Sequence, residues 1–238
     1  PHSPYVGRTA FAHKGGLHVA GVEAAPQTFE HVDPALVGNR QRILISELSG
    51  KSAVLHKARE MGIPLEGDDD RVGRVLRRLK DREHRGYQYE AADGSFELFL
   101  RQALAPYEPL FRLEAFRVIV EKREDGKAVV EATIKIHVAG ERIISTAEGN
   151  GPVNALDAAL RQAITRKYPH LAAIELVNYR VRILDEAHGT GAVTRVLLDA
   201  SDGDQSWGTT GVSENIIEAS WEALVDSIEF GLIKAQEL

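Results

Sequence analysis

The run Phe11-Ala12-His13-Lys14-Gly15-Gly16-Leu17-His18 is the densest cluster of groups in this sequence able to move a proton. Histidine titrates near neutral pH and can carry a proton or take a metal, and paired glycines let backbone approach a ligand closely. Two histidines five residues apart in a loop have no fixed mutual geometry, unlike a pair on one helix face. The spacing alone leaves a structural and a catalytic role both open. Other chemistries lack their signatures. The sequence has no serine nucleophile motif, no Walker loop and no dinucleotide fingerprint, and Gly149-Asn150-Gly151-Pro152 is too short for a phosphate loop. Asp68, Asp69 and Asp70 lack the spaced oxygens and turn glycine of a calcium loop and read as the negative start of a helix. With no cysteine, disulfides, thiolate metal sites and a cysteine nucleophile are excluded, and no metal ligand set is assigned.

The elements that must position these groups fall into three stretches. Residues 1–50 are rich in Gly, His and Pro and carry short apolar runs, which predicts an extended linker segment lying across another domain. Residues 51–109 predict a small helical subdomain. One helix surrounds Val54 to Met61 and stops at Gly62 and Pro64. A second repeats Val72, Val75, Leu76 and Leu79 on an Arg-rich face expected to be solvated, and a third spans Ser95 to Leu104. Residues 110–238 change to β-branched, alternating runs near 113–120, 129–138 and 142–147, with Asp125-Gly126 and Ala139-Gly140 as turns. A helix follows with Pro152 at its start. The order then recurs, with strands near 174–184, 193–200 and 205–212 and a helix from Ser213 or Glu214 to about Ile233. Asn215-Ile216-Ile217-Glu218-Ala219-Ser220 echoes Asn154-Ala155-Leu156-Asp157-Ala158-Ala159 at a spacing of 61 residues. The predicted fold class is therefore α+β: a helical linker subdomain followed by a duplicated βββα domain with pseudo-twofold symmetry.

Composition narrows the partners. The chain has 238 residues, 43% of them hydrophobic and 27% charged, enough apolar material for a core. A net charge of −6 argues against nucleic acid as a partner. No apolar stretch reaches the ~20 residues that span a bilayer, so no membrane partner is expected. The missing cysteines fit the cytoplasm. The sequence opens on Pro1 and holds one methionine, Met61, which makes it an expected piece of a longer protein.

Three sets of residues carry a resemblance. They are Pro4-Tyr5-Val6-Gly7 through His18, then Phe29-Glu30-His31-Val32-Asp33-Pro34 with Val37-Gly38, and Ser46-Glu47-Leu48-Ser49-Gly50. Together they resemble the stretch after the catalytic barrel in citramalate synthases, relatives of the 2-isopropylmalate and homocitrate synthases. The helix starts at Glu148-Gly149-Asn150-Gly151-Pro152-Val153 and Gly211-Val212-Ser213-Glu214-Asn215-Ile216 are similar to the carboxy-terminal regulatory domain of that family. The likeness spans essentially the whole chain.

The resemblance implies an acyltransferase parent that joins acetyl-CoA to pyruvate on a barrel upstream of Pro1, with a divalent metal held on that barrel. This chain alone is expected to be inactive and to hold no cofactor. His18 matches the histidine that reaches into the partner subunit's barrel and assists proton transfer. Phe29 stands where many relatives have tyrosine, so a role through that hydroxyl is missing. The duplicated domain implies a homodimer that binds the end-product amino acid, isoleucine, as a feedback inhibitor. The matching effector positions are Val153 and Asn154 at one helix start, Leu176, Tyr179 and Ile183 on the fourth strand of the duplicated domain, Ala192 on its fifth, and Ile216 at the other helix start. Leu176 and Tyr179, three apart, face opposite sides of an ideal strand, so a bulge or strand boundary between them, or a core role for one of them, is expected. The alternatives are the matching region of a 2-isopropylmalate synthase, with leucine as effector, and a dimerisation module without effector binding.

Overall fold

Stretches rich in glycine and proline disfavour long regular elements. The structure, a computed structural model, describes residues 3–7, 10–14, 21, 25, 30, 32–39, 42–44, 51–60, 62–63, 65, 70–104 and 106–237. Among them, two short strands, β1 (Ala12–Lys14) and β2 (Arg42–Leu44), pair in parallel with His13 opposite Ile43. Between them Pro34–Val37 forms a single 3-10 turn. Asp33 accepts a hydrogen bond from the Ala35 amide at its start, and Gly38 closes it at φ 67°. The chain divides into two compact units, residues 1–91 with 99–106 and residues 92–98 with 107–238.

In the first unit, α1 (Lys51–Glu60) buries Val54 and Ala58. Helix α2 (Asp70–His84) starts on a carboxylate and buries Val72, Val75 and Leu79, the three- and four-residue spacing of one helix face. Its arginine face is largely exposed, as the sequence suggests, with Arg82 half-buried. The Arg82 guanidinium lies 5.0 Å from the Tyr87 ring centre and 5.3 Å from that of Phe99. Helix α3 (Asp93–Leu104) divides between the units, with Phe99 in the first and Leu98 in the second.

The second unit contains the duplicated domain. Strands β3 (Phe111–Lys122), β4 (Ala128–Val138) and β5 (Glu141–Gly149) form an antiparallel meander, followed by α4 (Pro152–Ile164). Strands β6 (Glu175–Ile183), β7 (Thr194–Ser201) and β8 (Ser206–Ser213) repeat it, followed by α5 (Ile216–Glu237). The α+β class and the doubled βββα order are as the sequence predicts. The second helix begins later than expected, because Ser213 and Asn215 act as capping side chains ahead of it.

The repeat extends to irregularities. The β3–β4 register slips between Leu113 and Ala115, and the β6–β7 register slips between Leu176 and Asn178. Glu114 and Val177 are the extra residues, one bulge in each half. Glu114 is fixed by Arg142, whose Nε and Nη2 donate to its two carboxylate oxygens at 2.6 and 2.8 Å. Those bonds, with His137 adding to them, hold the Glu114 carboxyl down at about 2. The β4–β5 turn has two residues, Ala139 at φ 47° and Gly140 at φ 80°, the left-handed pair that suits strand twist.

Alternation decides what is buried. On β4, Val130, Ala132, Ile134, Ile136 and Val138 face inward, as do Thr194, Val196, Leu198 and Ala200 on β7. Helix α4 adds Leu156, Leu160 and Ile164 to the same core, and α5 adds Leu224, Ile228 and Leu232. Each such side chain contributes about 1.5–3 kcal/mol by leaving water. Trp207 is 2% exposed, yet its indole N–H donates to the Ser227 carbonyl at 3.0 Å. Gly231 must be glycine, since a Cβ there would lie 2.6 Å from both Trp207 and Ile174.

Candidate functional site

The two helix starts, equivalent by duplication, are chemically different. At α4 the chain arrives through Gly151 at φ −170° and ψ 173°, with Pro152 in the first position and no side chain capping the amides. Asn154 lies inside this helix, and its Oδ1 instead accepts from the Asn150 amide at 3.0 Å. The half-exposed first turn therefore keeps its amides without a side-chain partner, with the positive end of the helix dipole behind them. Close approach is built in at Gly149, where a Cβ would come within 2.5 Å of the Ala155 nitrogen.

At α5 the same groups are already used. Asn215 Oδ1 accepts from the Ile217 amide at 2.9 Å, and Ser213 Oγ accepts from the Asn215 amide at 3.1 Å. The Ser213 hydroxyl donates to Glu218 at 3.0 Å, which adds a carboxylate to the first turn. A second anion at this start is disfavoured by that fixed negative charge. Ile216 begins this self-capped helix and is 44% exposed.

Strand β6 supplies an apolar surface. The bulge at Val177 pairs Leu176 with Ala200 and Tyr179 with Leu198, both inward-facing positions of β7. Leu176 and Tyr179 thus share one face with Val181 and Ile183, and the bulge is the reason. This edge is open: Tyr179, Val181 and Ile183 are 42%, 41% and 52% exposed. The corresponding edge of the first half, β3, leaves Val120 57% exposed, while its Phe116 ring packs on Trp221 at 5.6 Å. Ala192, just before β7, is buried.

Tyr179 also carries a polar contact. Its hydroxyl lies 2.7 Å from Ser220 Oγ, and Ser220 donates to the Ile216 carbonyl at 2.6 Å. Since the single Ser220 proton goes to Ile216, Tyr179 is the donor between the hydroxyls, and its oxygen keeps lone pairs for another donor. Ser220 carries no motif; the clue is a hydroxyl at a position of the second helix whose neighbours repeat an apolar pattern.

The structure brings Leu176, Tyr179 and Ile183 together on β6 and links Tyr179 to α5. Val153 and Asn154 belong to the other βββα half, where α4 packs chiefly on β5 and β4. His18 and Phe29 lie outside the described residues. Their neighbours His13 and Glu30 form a mostly buried pair, Nε2 to Oε1 at 2.9 Å, which no spacing rule would couple across 17 residues. Among the described residues no group of three His, Asp or Glu side chains could hold a metal ion, and no helix is long and apolar enough to cross a membrane.

Comparison with known proteins gives this geometry a context. The chain is 53% identical to the (R)-citramalate synthase of Streptomyces coelicolor over 98% of its own length and 44% of that protein. It is 48% identical to the (R)-citramalate synthase of Geobacter sulfurreducens over 100% of its length and 45% of that protein. For that of Sulfolobus acidocaldarius the identity is 38%, over 98% of this chain and 43% of the relative. The chain thus spans less than half the length of these curated relatives. Residues 5–86 match the family described as homocitrate synthase post-HMGL domain-like. Residues 90–232, which take in both βββα halves, match the LeuA allosteric (dimerisation) domain, and the chain belongs to that family.

Proposed function

We propose that this chain is the linker and regulatory portion of a citramalate synthase, dimeric through the doubled domain and inhibited by isoleucine. The observation that carries the reading is an uncapped α4 start on one half and, on the other, an open apolar strand edge bearing a tyrosine whose oxygen can still accept a hydrogen bond. Free amides at Val153 and Asn154 suit an α-carboxylate, and the Tyr179 oxygen can accept from an ammonium group. Leu176, Ile183 and Ala192 suit an aliphatic side chain. The two sets of residues lie on different halves of one protomer, so a second copy seated on the open β6 edge is the natural way to unite them. Burial of Val181 and Ile183 would drive that association.

Feedback then works as a population shift, in which isoleucine favours an arrangement of the dimer that misplaces His18 in the partner's barrel. The parent enzyme condenses acetyl-CoA with pyruvate, and a divalent metal there would polarise the keto group. The described residues of this chain do not fit such a metal, so no step is assigned to it here. Calorimetric titration of the chain with isoleucine, leucine and valine tests the reading: a preference for leucine would favour the 2-isopropylmalate branch, and heat with none a dimerisation module alone.

A further inference from the structure

Helix α2 and the residue after it present a row of guanidinium groups, most of which neither the fold nor the regulatory reading uses. Of the 15 residues from Arg71 to Arg85, seven are Lys or Arg, in a chain whose net charge is −6. Two of them serve the fold: Arg71 donates to the Leu104 carbonyl and Arg82 to the Tyr89 hydroxyl, each at 3.1 Å. Arg74, Arg77, Arg78 and Arg85 are exposed, and no carboxylate of the described residues pairs with them.

The row is built on aromatic rings. Tyr87, Tyr89 and Phe99 stack in sequence, with ring centres 6.3 and 5.9 Å apart. The Arg78 guanidinium lies 5.6 Å from the Phe99 ring centre, and that of Arg85 lies 5.9 Å from Tyr87. Ring contact fixes the plane of a guanidinium while its N–H edge stays available to solvent. Arg74, Arg78, Arg82 and Arg85 follow one another at helical neighbour spacing, so their positions climb the helix by about 4.5–6 Å per step. Like charges at that spacing repel, and a multivalent anion relieves the repulsion.

We propose that this face of α2 binds an organic phosphate carrying at least two phosphate groups. The guanidinium fork matches phosphate oxygens two at a time, and the spacing suits adjacent phosphates. An acidic protein partner fits less well, because no large apolar side chain is exposed on residues 70–89 to anchor one. All of these residues lie in the first unit, so the site is independent of the effector reading.

Titration of the 238-residue chain with inorganic pyrophosphate tests this. Saturable binding is expected, weakening steeply between about 50 mM and about 200 mM salt. The double variant R74Q/R77Q touches no ring contact and should lower affinity at least about tenfold, while Lys80→Gln leaves it unchanged. Near-ultraviolet circular dichroism checks that each variant is folded, and the salt dependence of the wild-type chain stands even if one is not. No saturable binding, no salt dependence, equal affinity in a folded R74Q/R77Q, or tighter binding of a hepta-glutamate peptide than of pyrophosphate would each overturn the proposal.

Discussion

Tyr179 and Ser220 hold their hydroxyls 2.7 Å apart and tie the open edge strand β6 to the buried side of α5. Ser220 keeps its bond to the Ile216 carbonyl without Tyr179, so the pair is not essential to folding. Tyr179→Phe is expected to change unfolding free energy by no more than about 1 kcal/mol in a denaturant melt. It should nevertheless weaken isoleucine binding about tenfold, the cost of an unpaired ammonium donor in a closed pocket.

Gly149 and Gly151 sit two residues apart and should respond oppositely to alanine. At Gly149 the new Cβ meets the Ala155 nitrogen at 2.5 Å and Asn154 Oδ1 at 2.7 Å, whereas at Gly151 nothing lies within 4 Å. Gly149→Ala should destabilise by about 1–3 kcal/mol. Gly151→Ala, in extended backbone, should stay within about 0.5 kcal/mol of the parent in the same melts.

The alternation of β4 and β7 is legible because a buried face needs an apolar residue at every second position, and Val130 to Val138 supplies it. The bulges are not, since Glu114 and Val177 disturb that period by one residue without any turn residue to mark them. Only the odd spacing of Leu176 and Tyr179 hints at the second bulge. The late start of α5 escapes because Ser213 and Asn215 read equally well as first-turn residues and as caps. His13 with Glu30, and the arginines of α2 with Phe99, are pairings between separate segments, which periodicity within one segment cannot register.

Glu229 is buried on α5, accepting from the Tyr107 hydroxyl at 2.6 Å and the Leu110 amide at 3.0 Å. Burial pushes its carboxyl up, against the pull of those two bonds. A carboxyl raised in the folded state contributes stability that is present below its unfolded value and lost as pH rises through the folded one. Glu229→Gln removes this dependence. The parent should therefore lose stability relative to Glu229→Gln as pH rises upward from the ordinary carboxylate range, read as a narrowing or reversed difference in Tm.

The exposed β6 edge is expected to be the seat of self-association. Val181→Asp with Ile183→Asp places two charges on that face, where burial would cost far more than it returns. Sedimentation velocity should show a dimer for the parent and a folded monomer for the double variant. A double variant that remains dimeric would move the interface elsewhere.

Because the amino-acid site is expected to draw on both copies, isothermal titration of isoleucine into the parent chain and into a variant made monomeric by Val181→Asp alone, which leaves every proposed site residue in place, is the most direct test. The parent should bind isoleucine saturably and in preference to leucine and valine, and the monomeric variant should give no binding heat. No heat from the dimeric parent with isoleucine at millimolar concentration, or equal binding by the monomer, would contradict the account.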